Sequence, residues 1–101
     1  MRGYGPGLTS ISSATVSSTI GATCSATATP ASIPVAVGAP AMTGAASVSV
    51  KNTGTNPARV GTGTPSGPLA PGDVWGENVD HVENWSVSSA AGTTLNIVVS
   101  Q

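Results

Sequence analysis

A chain of 101 residues with 13 glycines, 8 prolines and a formal net charge of −1 makes one small domain at most. Charged residues make up only 7% of it, and its whole cationic supply is Arg2, Lys51 and Arg59, which excludes the clustered Lys and Arg that direct nucleic-acid binding demands. No run approaches the ~18 apolar residues of a membrane helix, so no membrane partner is expected.

Residues 1–32 are mostly Gly, Ser, Thr and Ala, with Leu8, Ile11, Val16 and Ile20 spaced too widely for a helical stripe. They read as an extended arm that orders against a neighbouring subunit. A signal peptide is not expected, because Gly, Pro, Ser and Thr interrupt residues 3–20 where an unbroken apolar stretch is required. The protein is thus expected to stay in the cell that makes it unless released by lysis or exported by another route.

From Ile33 the apolar period becomes two, and residues 33–101 read as the folded domain. Ile33, Val35 and Val37 alternate with Pro34 and Ala36, which predicts an edge strand because proline cannot donate to a ladder. Ala46, Val48 and Val50 alternate with Ser47, Ser49 and Lys51 as a half-buried antiparallel strand. Turn residues Lys51-Asn52-Thr53-Gly54 follow, then a short strand around Ala58, Arg59 and Val60. Residues 61–68 read as a loop. Pro71-Gly72 is the favoured central pair of a type II turn. Val74-Trp75, Trp85-Val87 and Leu95-Ile97-Val99 supply further strands, with a turn at Ala91-Gly92. About six short strands with regularly spaced turns predict an all-β fold, a small antiparallel β-sandwich or barrel.

The apolar inventory is 12 valines, 4 isoleucines and 3 leucines with no phenylalanine, so the core is thin. Cys24 is the single cysteine, so no disulfide can form within the chain. Assembly with copies of itself or onto a scaffold is the remaining way to complete such a core, and a homo-oligomer is expected.

Candidate chemistry is sparse. His81 is the sole histidine, in Asp80-His81-Val82-Glu83, and no nucleophile motif accompanies it. Asp73, Glu77, Asp80 and Glu83 cluster in sequence without the alternating spacing of a calcium loop, and read as an acidic ridge. Cys24 has no cation nearby in sequence to lower its pKa and reads as a small packing residue. The glycines of 61–67 lack the Lys-Ser/Thr ending of a phosphate loop. No catalytic residue, metal site or cofactor is therefore expected. Trp85 shares the apolar phase of Val87 and reads as core, whereas Trp75 is divided between core and subunit contact. Tyr4, Leu8, Ile11, Val16, Ile20 and Trp75 are the candidate partner-binding residues. With Tyr4, the two tryptophans also leave open a sugar-binding platform, that is, a carbohydrate-binding or adhesin module.

The segments Ser47-Val-Ser-Val-Lys-Asn-Thr-Gly-Thr-Asn-Pro-Ala-Arg-Val-Gly61, Gly67-Pro-Leu-Ala-Pro-Gly-Asp-Val-Trp75 and Trp85-Ser-Val-Ser-Ser-Ala-Ala-Gly-Thr-Thr-Leu-Asn-Ile-Val-Val99 resemble small β-rich virion proteins of tailed bacteriophages. The shared pattern is a strand ending in Asn-Thr-Gly, a strand carrying Val-Gly, a Leu-x-Pro-Gly turn and a last strand after Ala-Gly-Thr. The resemblance covers about residues 45–100. It implies a structural role in the virion, foremost as a capsid decoration (cement) protein that clamps major capsid protein subunits, commonly as a trimer. Tail, neck and fibre positions are the alternatives within the virion.

Overall fold

The computed structural model describes residues 18–101. Expectations resting on Tyr4, Leu8, Ile11 and Val16 lie outside the described residues. The rest is an antiparallel β-sandwich, as the alternation predicted. Its strands are β1 (Thr19–Ala26), β2 (Ala31–Ser32), β3 (Ala46–Asn52), β4 (Ala58–Thr62), β5 (Gly67–Leu69), β6 (Val74–Val79), β7 (Trp85–Ser88) and β8 (Thr93–Ser100). A single helical turn, α1 (Ile33–Ala36), follows β2, and a 3-10 turn over Val82–Asn84 leads into β7.

One sheet has the order β1-β8-β3-β6 and the other β2-β7-β4-β5. β8 is the backbone of the first sheet. Its Leu95, Ile97 and Val99 point into the sandwich, while Asn96 and Val98 point out. In register, Ile97 lies between Ala22 of β1 and Val50 of β3. The inner faces of the two sheets meet in one cluster that includes Val48, Val50, Val60, Leu69, Val87, Leu95, Ile97 and Val99. Burying each such side chain stabilises the fold by about 1.5–3 kcal/mol before the entropy of ordering is counted.

Three expectations change. Residues 19–32 are not part of an extended arm: Thr19–Ala26 pairs along its whole length with β8, and Ala31–Ser32 pairs with Val87 and Ser86 of β7. The sandwich therefore takes in the segment from Thr19 onward, and the boundary expected at residue 32 falls inside it. The second change is at Ile33–Val37, which is a helical turn rather than an edge strand. Ser32 caps it by accepting a hydrogen bond from the Val35 N–H at 3.3 Å, and Pro34 sits in the first turn, where its missing N–H costs nothing. Gly38 stops it at φ +79°, a conformation that glycine adopts without a Cβ penalty. The Gly38 N–H then donates to Val35 O and the Ala39 N–H to Pro34 O, the double closure of a Schellman motif. Ile33 and Pro34 are buried, whereas Val35 is 55% exposed, so the apparent alternation had no common inner face.

Residues 61–68, expected as a loop, also contribute to the second sheet. β4 continues through Gly61 and Thr62 opposite Ser86 and Trp85, and Gly67 and Pro68 pair back onto Val60 and Arg59. The Pro71-Gly72 turn is present as expected, with Gly72 at φ +88° and the Asp73 N–H donating to Ala70 O at 2.9 Å.

Candidate interaction surface

At one end of the sandwich the loops converge on Asn52, the last residue of β3, which is fully buried. Its Nδ2 donates to Asn56 O at 2.8 Å and to Leu69 O at 3.0 Å, while its Oδ1 accepts from the Gly54 N–H at 3.1 Å and from Thr93 Oγ1 at 3.0 Å. Both donors and both acceptor sites of the amide are in use, so its burial carries no unpaired polar group. The Leu69 bond ties the second sheet to the first. Around this node Asn56 Nδ2 donates to Gly92 O and the buried Ser89 Oγ donates to Pro57 O. The Asn-Thr-Gly, Leu-x-Pro-Gly and Ala-Gly-Thr segments of the sequence pattern thus meet in space, as braces of the fold.

Gly54 belongs to the same node through a close approach. A Cβ there would press on Thr93 Oγ1 and lie 2.6 Å from the Thr94 backbone nitrogen. Gly54→Ala is expected to displace Thr93 and its bond to Asn52, at a cost of about 1–3 kcal/mol, read from the midpoint of a urea unfolding curve.

The groups with catalytic potential do not assemble. The His81 Nδ1 stands 3.5 Å from Glu83 Oε2; His81 is open to solvent at 66% and Glu83 is half-buried. Glu83 has a local task, since its Oε1 accepts from the Gly44 N–H at 2.9 Å. That bond, its own backbone N–H and the neighbouring His81 hold its carboxyl below the usual carboxylate range. A carboxylate whose pKa is lowered by folding stabilises the fold above its unfolded pKa, and this is lost as the pH falls through the folded value. Glu83→Gln is therefore expected to lower the melting temperature at neutral pH, with the gap to the parent closing on acidification.

Among the described residues, no three His, Cys, Asp or Glu side chains are placed to share a metal ion. Cys24 is half-buried on β1 in the inward phase of Ile20, Ala22 and Ala26, and burial pushes its thiol pKa up. A thiol so held is a slow nucleophile at neutral pH. Cys24 is expected to react with an aromatic disulfide reagent much more slowly in the folded chain than in denaturant, as followed by the released chromophore. The surface depressions are open and lie along strand faces and loops. The one bordered by Pro57, Ala58, Arg59, Pro68, Ala90 and Ala91 contains neither His81 nor Cys24.

The predicted partner-binding residues within the described part are Ile20 and Trp75, and both face inward. Ile20 packs against the core from β1. Trp75 sits opposite the buried Val50 and stacks on Trp85 from the other sheet, with ring centroids 5.0 Å apart and a 31° tilt. Both indoles are half-buried. The hydrophobic side chain that β6 presents to solvent is Val74, at 61% exposure.

What the sequence reading did not find is the arrangement of the sheet edges. Strand edges expose unpaired backbone groups that invite pairing with another chain. β2 has two residues and runs straight into the Pro34 turn; β5 has three and contains Pro68. β6 carries Glu77 opposite the core-facing Val48, an exposed charge in the inward phase. Each of these is a known obstacle to edge-to-edge pairing. β1 differs from them. It is eight residues long, has no proline and no charge, and among the described residues pairs on one side only, with β8.

Fold and surface together define an all-β sandwich braced by buried amide hydrogen bonds, with one long edge that no described strand covers. No protein-family model matches the chain, and no curated protein matches it. Among solved structures it is similar to one described as Bacillus endospore appendages, a novel family of disulfide-linked pili. The TM-score is 0.54 at 18% identity, covering 84% of this chain and 85% of that one. At this identity the likeness concerns the fold. No helix among the described residues is long and apolar enough to cross a membrane.

Proposed function

We propose that this chain is a non-catalytic structural subunit of a bacteriophage virion, a capsid decoration protein that binds across major capsid protein subunits and stabilises the head shell. The observation that carries this reading is the convergence of the turn segments on Asn52. The segments that resemble small virion proteins serve to hold a sandwich together through the buried Asn52 amide. The low charge, the thin core and the long unblocked edge suit a protein whose stability is completed by its neighbours.

Since β1 belongs to the sandwich, the capsid contact proposed for the N-terminal segment is tested on residues 1–17, which precede it. Deleting 1–17 leaves every described strand in place and is expected to abolish binding to the particle. Unchanged occupancy on the particle would refute the arm's role.

A second reading, favoured by the likeness to the spore appendage, makes the chain a repeating subunit of a fibre or tail. Disulfide linkage is disfavoured for it, because the one cysteine points into the core with a raised pKa. Copy number separates the readings: decoration gives hundreds per head, a neck or tail ring about six or twelve per layer. A sugar-binding role for Trp75 is weakened by its stacking on Trp85. Glycan binding lost on Trp75→Ala would revive it.

A further inference from the structure

We propose that the β1 edge is a self-recognition surface, where β1 of a second copy pairs antiparallel about a two-fold axis at Ala22 and joins two four-stranded sheets into one of eight. The backbone pattern specifies this register. Ser18 and Gln101 exchange both of their backbone hydrogen bonds, at 3.3 and 3.0 Å, which fixes the even-numbered residues of β1 as those bonded to β8. Thr19, Gly21, Thr23 and Ser25 therefore turn their N–H and C=O groups to the open edge.

These four residues are symmetric about Ala22. Placing Thr19 opposite Ser25 of the second copy, and Gly21 opposite Thr23, satisfies every open-edge donor and acceptor on both strands. The outward side chains then form Thr–Ser and Gly–Thr pairs, and no charge on β1 opposes a like charge. On the inner face Ala22 meets Ala22 of the second copy and Ile20 meets Cys24, which extends the apolar layer across the junction. A second copy is favoured over an unrelated strand because this edge is self-complementary in hydrogen bonding and in its lack of charge. The inference stands on β1 itself and does not depend on the virion reading.

The test uses the full chain. Sedimentation equilibrium at ~100 µM is expected to give twice the monomer mass, as a single-edge contact of modest area requires high concentration. Thr23→Pro removes an N–H that the monomer does not use. It is expected to abolish the dimer while the circular dichroism spectrum and the melting curve remain those of a folded sandwich. Register is read by cross-linking. Ile20→Cys places a new thiol opposite the native Cys24 of the second copy and is expected to give an oxidised dimer, lost when Cys24→Ser is added. A wild-type chain that is monomeric at this concentration would overturn the proposal, as would a dimer untouched by Thr23→Pro or a cross-link between two native Cys24 thiols. Dimerisation only after removal of residues 1–17 would also overturn it, by showing that the chain's own first residues cover the edge.

Discussion

Asn52→Asp is expected to remove most of the fold's stability at neutral pH and 25 °C. The substitution is nearly isosteric, so packing is not the cause. The amide donates to the carbonyls of Asn56 and Leu69; a carboxylate has nothing to donate and instead turns an oxygen toward both. The group is fully buried, so a charge there is either uncompensated or neutralised by taking up a proton. Uncompensated buried charges and stranded buried acceptors cost about 3–5 kcal/mol together. Total stabilities of small domains are of order 5–15 kcal/mol, and a thin core belongs near the low end. Followed by far-UV circular dichroism, the urea midpoint of the variant is expected to fall far below that of the parent at neutral pH and to recover part of the gap on acidification, when the side chain protonates. Asn52→Ala avoids the charge and is expected to be destabilised at all pH values.

The second large effect is expected at Ile97. It is fully buried between Ala22 and Val50 in the middle of the first sheet, and the strands on both sides are held by continuous ladders that cannot close in on a cavity. Ile97→Ala is expected to cost about 3–5 kcal/mol, toward the upper end for such truncations, with Ile97→Val near 1 kcal/mol. Urea unfolding of the two variants at equal concentration gives both values. A loss below about 1 kcal/mol for Ile97→Ala would show that the sheets are looser than the packing implies.

The sequence made the fold class legible wherever large apolar residues alternate with polar ones. β3 and β8 are clear for that reason, since Val48, Val50, Leu95, Ile97 and Val99 all fall on the inner face. β1 was hidden because its inner positions, apart from Ile20, are Ala22, Cys24 and Ala26. Side chains that small give little periodic signal in a Ser/Thr background, and what fixes the strand is β8, far away in sequence. At Ile33–Ala36 the opposite error arose, from an apolar alternation without a shared face. The Ser32, Pro34 and Gly38 punctuation carried the better signal there. Asn52 was visible as turn chemistry. Its burial, and the meeting of three distant turns around it, depend on how the sheets stack. The open edge depends on strand order, which no local pattern encodes. For Trp75 the alternation leaves core and subunit contact equally open; the register puts Val74 outside and stacks Trp75 on Trp85.

The proposal that this chain decorates a phage head shell stands or falls on where it sits in the particle. Electron cryomicroscopy of purified virions containing the chain tests it most directly. The account predicts density for hundreds of copies on the head shell, each a β-sandwich seated across major capsid protein subunits with residues 1–17 in contact with them. Copies confined to a neck, tail or fibre, with none on the head shell, would contradict it.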